Sequence, residues 1–585
     1  MEFDIRPDIV ELRIERGDVG GCRNAYVGGF PFKGADPNRR RQKRRRETHL
    51  VEQHRFSPDI TEAPCLRALC DWQRKGIYVS CQLCDSGSDV QERQLGQRSV
   101  LLVGLDALRP EDVGEDLTPN IRRFQELGSS VPNFRSVFPS DTRANLASLM
   151  TGAYPSGHGI IANSFWDPAL HPDVIDCGNA ELLDNLMAHG AAPVVDAVTV
   201  GEILASRHMN MATIATGSAG SARLLNPHGC NLGHVSIACH SLTSSYPHWA
   251  CEEFRRQAGG RLPERSVPDL DVIGVAVDTA LALVSGHCRP ALSVLWLNEP
   301  DTVYHHRGLN AATTRDTLRC LDRQFGRILE WWLSEGRYDG VQLILLSDHG
   351  QVGVAGTFDF AEALRREGFS ITRSPRDPAG CLFLGSTVGQ LYLREEPRKI
   401  DTLCRALRQM PATGTIFVKE SVLAGWPLPD GTFPQSATFI DHARSPDIIF
   451  TYAWQAAGDR GRDAGLVIDV ANGDGLLATH GGLTHGEMSA FAVFGGDCFH
   501  QNFWSAQYAS MVDIAPTIMK CLDVPYPFEV PGRVLAELLR LSPPGGSEEG
   551  TYPDTPQKHP VRATTTDAVI QRIRNQGSLY VDFAL

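Results

Sequence analysis

Ser99-Val100-Leu101-Leu102-Val103-Gly104-Leu105-Asp106 is an unbroken apolar run that ends in an acid. A strand covered on both faces of a parallel sheet reads this way, because no position faces water until the chain leaves the sheet. Three more runs follow the same pattern. Met211 to Thr216 is one, and Leu292 to Asn298, which leads into Glu299-Pro300-Asp301, is the second. The third is Val341 to Leu346, ending in Ser347-Asp348-His349-Gly350. Helical stretches lie between them. Residues 118–128 have Thr118 as N-cap, Pro119 in the first turn and Gly128 beyond the end. Val200 to Ser206 suggests a second helix, and Leu318, Leu321, Phe325, Ile328, Leu329 and Trp332 recur at three and four in a third. Strands alternating with helices predict an α/β fold with a mostly parallel central sheet flanked by helices.

The rest of the chain arranges itself around that core. Residues 1–97 carry the basic run 39–46 and read as a poorly defined, flexible N-terminal region. Cys65, Cys70, Cys81 and Cys84 follow, and only the second pair has the spacing of a zinc knuckle. The core occupies 98–354, a small α/β subdomain is inserted at 355–475, and the core resumes at 476–541. The Pro-, Gly- and Ser-rich sequence of 542–585 reads as a flexible tail.

Composition narrows the function classes. Lys and Arg number 56 against 69 Asp and Glu, a formal charge of −13, so the chain is not built to hold a polyanion and nucleic acid is not its expected partner. No apolar run approaches the ~18 residues of a transmembrane helix. No secretory h-region opens the sequence, and the fifteen cysteines are scattered mostly singly, so a reducing, cytoplasmic setting is expected.

In an open parallel sheet, ligands bind outside the carboxyl ends of the strands. Asp106, Asp301 with His305, and Asp348 with His349 all fall there, and His480 in a Thr-His-Gly-Gly turn can join them. Asp and His together suit zinc, and carboxylates also accept manganese or magnesium. Thr142, between an extended and a helical segment in the stretch Ser136 to Gly159, supplies a hydroxyl. Acids, imidazoles and a hydroxyl on one rim match a two-metal hydrolytic site.

The segments VLLVGLDALRP (100–110), FPSDTRANLASLMTGAYPSGHGI (138–160), NEPDTVYHHRG (298–308), LLSDHG (345–350) and ATHGG (478–482) resemble the alkaline phosphatase superfamily. The resemblance is to its type I phosphodiesterase/nucleotide pyrophosphatase branch and spans roughly residues 98–540. It implies two Zn2+, with Mn2+ or Mg2+ as substitutes: one held by Asp301, His305 and His480, the other by Asp106, Asp348 and His349. It further implies Thr142 as nucleophile and ligand of the second ion, and Asn145 as a hydrogen-bond donor to the phosphoryl group. His306 and His485 are rivals to His305 and His480, and His158 reads as structural. In nucleotide-cleaving relatives a lysine precedes the threonine and an aromatic residue follows it; here Asp141 and Arg143 stand at those places. Arg143 is open to two readings, a phosphate contact or a structural salt bridge.

The function implied is metal-dependent hydrolysis of phosphoric esters, with phosphodiester or pyrophosphate bonds ahead of monoesters. A phosphonate hydrolase is the second enzymatic reading, so the partner is a small phosphorylated or phosphonate substrate. The non-enzymatic alternative is a nucleic-acid-binding protein with a degenerate hydrolase domain.

Overall fold

The computed structural model describes residues 98–584 except 191, 287–288, 379, 395–398, 424, 456–464, 473–474, 541–554 and 567, together with four strands before residue 98. Those four, Glu2–Arg6, Ile9–Arg13, Ala25–Gly28 and Val79–Cys81, pair antiparallel in chain order. The basic run 39–46 and Cys65, Cys70 and Cys84 lie outside the described residues.

The core is an eight-stranded sheet. Its strands are β1 (Ser99–Leu105), β2 (Ser129–Ser130), β3 (Met211–Ala215), β4 (Val235–Ala238), β5 (Leu292–Leu297), β6 (Val341–Leu346), β7 (Ala492–Gly495) and β8 (Phe503–Trp504). They lie in the order β4-β3-β5-β1-β6-β7-β2-β8. The pairings from β4 through β6 are parallel, and β7 runs antiparallel to β6. All four apolar runs are therefore central neighbours, and their carboxyl ends share one rim.

Alternation along β1 divides the core into two layers. Val100 and Leu102 pack with Leu146 and Met150 of helix α2 (Thr142–Thr151). Leu101, Val103 and Leu105 pack on the other face against α3 (Leu270–Ser285) and α5 (Ala312–Trp331), where Val277, Leu321 and Phe325 are buried. Helix α1 (Pro119–Leu127) sets Phe124 against Phe325, ring centres 5.5 Å apart. Gly104 has a specific reason to lack a side chain. A Cβ there would lie 2.1 Å from Cε3 of Trp296, its register partner on β5, and the closeness lets the indole reach Asp106.

The insertion has its own core of residues such as Phe360, Phe383, Leu403 and Phe450. A six-stranded sheet, mostly antiparallel, forms one part of it. Its entry and exit strands, Val352–Phe358 and Ala478–Thr479, pair antiparallel. That pairing closes the excursion and returns the chain at His480 beside the rim it left after Asp348-His349.

The flexible tail expected over 542–585 is corrected by the structure for its last part. Val569–Asn575 and Ser578–Ala584 form a hairpin whose Tyr580 is fully buried, and Asp582 pairs with buried Arg135 at 2.7 Å. The composition of 542–554 masked an alternating pattern in Val569 to Ala584 that the sequence reading passed over.

His158 is structural, as its setting in Gly157-His158-Gly159 suggested. Its Nδ1 accepts from the Ile160 amide at 3.1 Å, which leaves Nε2–H to donate to Ser148 Oγ on α2 at 2.9 Å. Burial, reinforced by His442 and Arg444, lowers its pKa from 6.5 to about 3. The unfolded chain therefore takes this proton first as pH falls, so the stability present above about pH 6.5 is lost on acidification. Between pH 6.5 and 5 the loss is roughly 2 kcal/mol. Urea unfolding at pH 7 and 5 should show a fall that is shallower by about that amount in His158→Gln. Parallel falls in the two proteins would remove His158 as the cause.

Candidate metal centre

Each carboxylate is delivered by the end of an element. Asp106 follows β1, and its Oδ2 accepts from the Trp296 indole at 3.2 Å. Asp348 follows β6; its Oδ1 accepts from the amides of Ala107 and His349, both at 3.1 Å. Its Oδ2 is buried with no hydrogen-bond partner among the described residues. Asp301 opens helix α4 (Asp301–Arg307), and one helical turn places His305 on the same face. His305 Nε2 lies 3.2 Å from Asp301 Oδ1.

The three imidazoles are oriented alike. Nδ1–H of His305 donates to Ala478 O at 2.8 Å, that of His349 to Gly350 O at 3.1 Å, and that of His480 to Ser140 O at 2.7 Å. Carbonyl acceptors fix the tautomer, so all three Nε2 lone pairs face the acids, the arrangement metal-bound histidines use. His480 Nε2 lies 3.6 Å from Asp301 Oδ1, and His349 Nε2 lies 3.5 Å from Asp106 Oδ1 and 3.4 Å from Asp348 Oδ2. Asp301, His305 and His480 thus form one group, and Asp106, Asp348 and His349 another, with ligand atoms within 4.8 Å inside each. The His349 and His480 rings stack at 3.8 Å and join the groups.

The electrostatics call for cations. Burial, then the neighbouring acids, pushes Asp106 well above the carboxylate range, and burial also raises Asp348. Burial opposes ionisation of Asp301 too, but His305 beside it outweighs that and holds it low. Burial lowers His349 to about 4 and His480 to about 3, so both are neutral and able to ligate near pH 7. Against the effect of burial, Asp301 in turn raises His305. Three acids in a space of low polarity, one with an orphaned oxygen, and three imidazoles oriented toward them fit a pair of divalent cations.

Thr142 is the first residue of α2, only 4% exposed. Its Oγ1 lies 3.2 Å from His349 Nε2 and 3.4 Å from Asp106 Oδ1. Asn145 is placed differently from the expectation. Its Oδ1 accepts from the Val137 amide at 3.0 Å, and its Nδ2 donates to Ser136 Oγ at 2.8 Å and Asp141 O at 3.0 Å. Helical side chains lean toward the N-terminus, so Asn145 braces the loop before α2 and does not face the site. Asn163 instead faces the cavity. Its Oδ1 accepts from the Arg143 amide at 3.1 Å and its own amide donates to Asp141 Oδ2 at 2.9 Å, while the side chain lines the cavity beside Thr142. No local motif in the sequence marks it.

The rivals are also placed. His306 is exposed at the cavity rim, and His485 begins a short helix, Nδ1 3.3 Å from Ser489 Oγ. Neither belongs to a ligand group among the described residues. The cavity measures about 450 Å³ and is lined by Thr142, Arg143, Asn163, Asp301, His305 and His480 among others, with no Phe, Tyr or Trp among the described residues.

The sequence matches the family described as type I phosphodiesterase / nucleotide pyrophosphatase over residues 100–471. Venom phosphodiesterase of Naja atra is 24% identical over 285 residues, covering 48% of this chain and 30% of its own length. Ectonucleotide pyrophosphatase/phosphodiesterase family member 1 of Mus musculus is 25% identical over 293 residues, 48% of this chain and 27% of its own. The match thus spans less than a third of these relatives. The fold is similar to that of murine ectonucleotide pyrophosphatase/phosphodiesterase 5, with TM-score 0.54 at 18% identity, over 76% of this chain and 100% of that one. An inactive variant of that murine protein in complex with AMP gives 0.53 over the same shares at 18% identity.

Proposed function

The chain belongs to the type I phosphodiesterase/nucleotide pyrophosphatase family, and from that premise we propose that it hydrolyses phosphoric esters, phosphodiester or pyrophosphate bonds first, with Thr142 as nucleophile. The observation that carries the reading is the Thr142 hydroxyl 3.2 and 3.4 Å from ligand atoms of one metal-capable triad, with the other triad joined to it by stacked imidazoles. Asp301, His305 and His480 would hold one zinc ion, and Asp106, Asp348 and His349 the other. Two such cations supply Lewis acidity, making the hydroxyl easier to ionise and neutralising phosphoryl charge.

The chain's own residues do the rest. Thr142 Oγ forms a bond to phosphorus as the bond to the leaving oxygen breaks, and the leaving group takes up a proton. Water then attacks the same phosphorus, breaks the bond to Thr142 and restores the hydroxyl. Asn163, whose Nδ2 makes no hydrogen bond among the described residues, is positioned to donate to a non-bridging oxygen as charge gathers there. The N-terminus of ten-residue α2 adds its amides to the same side. Asp141 acts through others: its Oδ2 holds the Asn163 amide, and its carbonyl accepts from Asn145.

Metal analysis tests the centre directly. The purified full chain should carry about two zinc ions under the two-metal template, and His480→Ala or Asp301→Asn should lower that to about one. A chain that takes up no stoichiometric divalent metal on dialysis would rule the reading out. Rates on an aryl phosphodiester, an aryl monoester, a dinucleoside pyrophosphate and phosphonoacetate then rank the ester classes.

A further inference from the structure

We propose that Arg143 and Arg265 form an anion subsite beside the metal centre, so that the substrate is a phosphoryl compound bearing a second oxyanion, a carboxylate or another phosphate. The proposal rests on the hydrolase reading above and names the part of the substrate that does not react.

The two guanidinium groups come from distant segments and meet on consecutive residues. Arg143 Nη2 donates to Ser218 Oγ at 3.3 Å, and Arg265 Nη2 donates to Gly217 O at 3.0 Å, in the turn that follows β3. Neither has a carboxylate oxygen within ion-pair distance among the described residues, so the structural salt bridge open to Arg143 in the sequence is not made. Arg143 Nε is shut away from solvent with no hydrogen-bond partner among the described residues. Both line the same cavity, Arg143 half-buried and Arg265 from an exposed loop, so an oxyanion there can meet two guanidinium groups at once.

The surroundings suit the same occupant. Thr216, Ser218, Ser266 and Asn298 line this part of the cavity with small polar groups. Of the two acids in the lining, Asp301 belongs to the metal centre, and Asp269 gives its Oδ2 to His240 Nε2 at 2.6 Å while its Oδ1 is buried without a hydrogen-bond partner among the described residues. Gly178 leaves the space in which Arg143 lies; a Cβ there would come 3.3 Å from its Nη2. The arginine fork matches the paired oxygens of carboxylate or phosphate. An adenine or other base would find no Phe, Tyr or Trp face on which to stack among the described lining residues.

Three p-nitrophenyl phosphodiesters with the same leaving group test this on the zinc-loaded full chain: the methyl, carboxymethyl and phosphonomethyl esters. One anionic ester should exceed the methyl ester in kcat/KM by about 10-fold or more, and which one does so identifies the oxyanion. In Arg143→Gln and in Arg265→Gln that ratio should fall toward one. A wild-type ratio near one for both anionic esters, or a ratio unmoved in both variants, overturns the subsite while leaving the hydrolase reading intact. If none of the three esters is turned over, the hydrolase reading fails instead. Calorimetry then decides the subsite alone: phosphonoacetate must bind more tightly than methylphosphonate in wild type and lose that advantage in the two variants.

Discussion

Thr142→Ala is expected to lower turnover of an aryl phosphodiester by roughly 10⁴- to 10⁶-fold, the scale on which removing a covalent nucleophile acts in enzymes that depend on one. A threonine hydroxyl ionises far above neutral pH, so it attacks phosphorus only where its surroundings favour the alkoxide. Thr142 has that setting: buried, at a helix N-terminus, and within 3.4 Å of Asp106 Oδ1 and 3.2 Å of His349 Nε2. The loss should fall on kcat, because alanine keeps the cavity and its cationic wall. The variant should fold. Alanine is a good residue inside a helix start, and the N-cap position belongs to Asp141. Metal content should stay near that of wild type, since five carboxylate and imidazole neighbours and Asp301 remain. A Thr142→Ala chain that retained a tenth of wild-type kcat with normal metal content would mean that water attacks the ester directly.

The parts legible in the sequence were those fixed by local pattern. Strands buried on both faces cannot alternate, so β1, β3, β5 and β6 stood out as apolar runs, and their ends necessarily share a rim in a parallel sheet. Asp106, Asp301 and Asp348 were readable for that reason, and His305 and His349 by their spacing from those acids. His480 needed the Thr-His-Gly-Gly turn, and the structure supplies the cause, the pairing of Val352–Phe358 with Ala478–Thr479. What stayed hidden depends on contacts between distant segments. Arg265 reaches the site only because its loop lies against Gly217, and Val569 to Ala584 fold back because Arg135 waits buried for Asp582.

Asn145 and Asn163 show the limit most sharply, and they give the second large prediction. The family resemblance implied Asn145, three residues after Thr142 on the same helix, yet its amide is closed off by Val137, Ser136 and Asp141. Asn163 is held by two backbone contacts, to Arg143 and Asp141, that no sequence period encodes. Asn163→Ala should therefore lower kcat by roughly 10²- to 10³-fold, the usual cost of removing one preorganised donor to a developing oxyanion. Its unfolding midpoint should move little, because the side chain is half-exposed and makes one internal bond. Asn145→Ala should do the reverse in stability. It leaves the Val137 amide buried without its partner, a cost of about 1–3 kcal/mol, while the Ser136 hydroxyl still donates to Val137 O. Any loss of turnover there should track the fraction unfolded or a shift of the loop, and should be recovered in part at lower temperature. Urea unfolding beside kcat and KM for both variants separates the two roles. If Asn145→Ala abolished kcat at unchanged stability while Asn163→Ala kept it, the oxyanion donor would be Asn145 after all, and the loop before α2 would have to open during turnover to expose it.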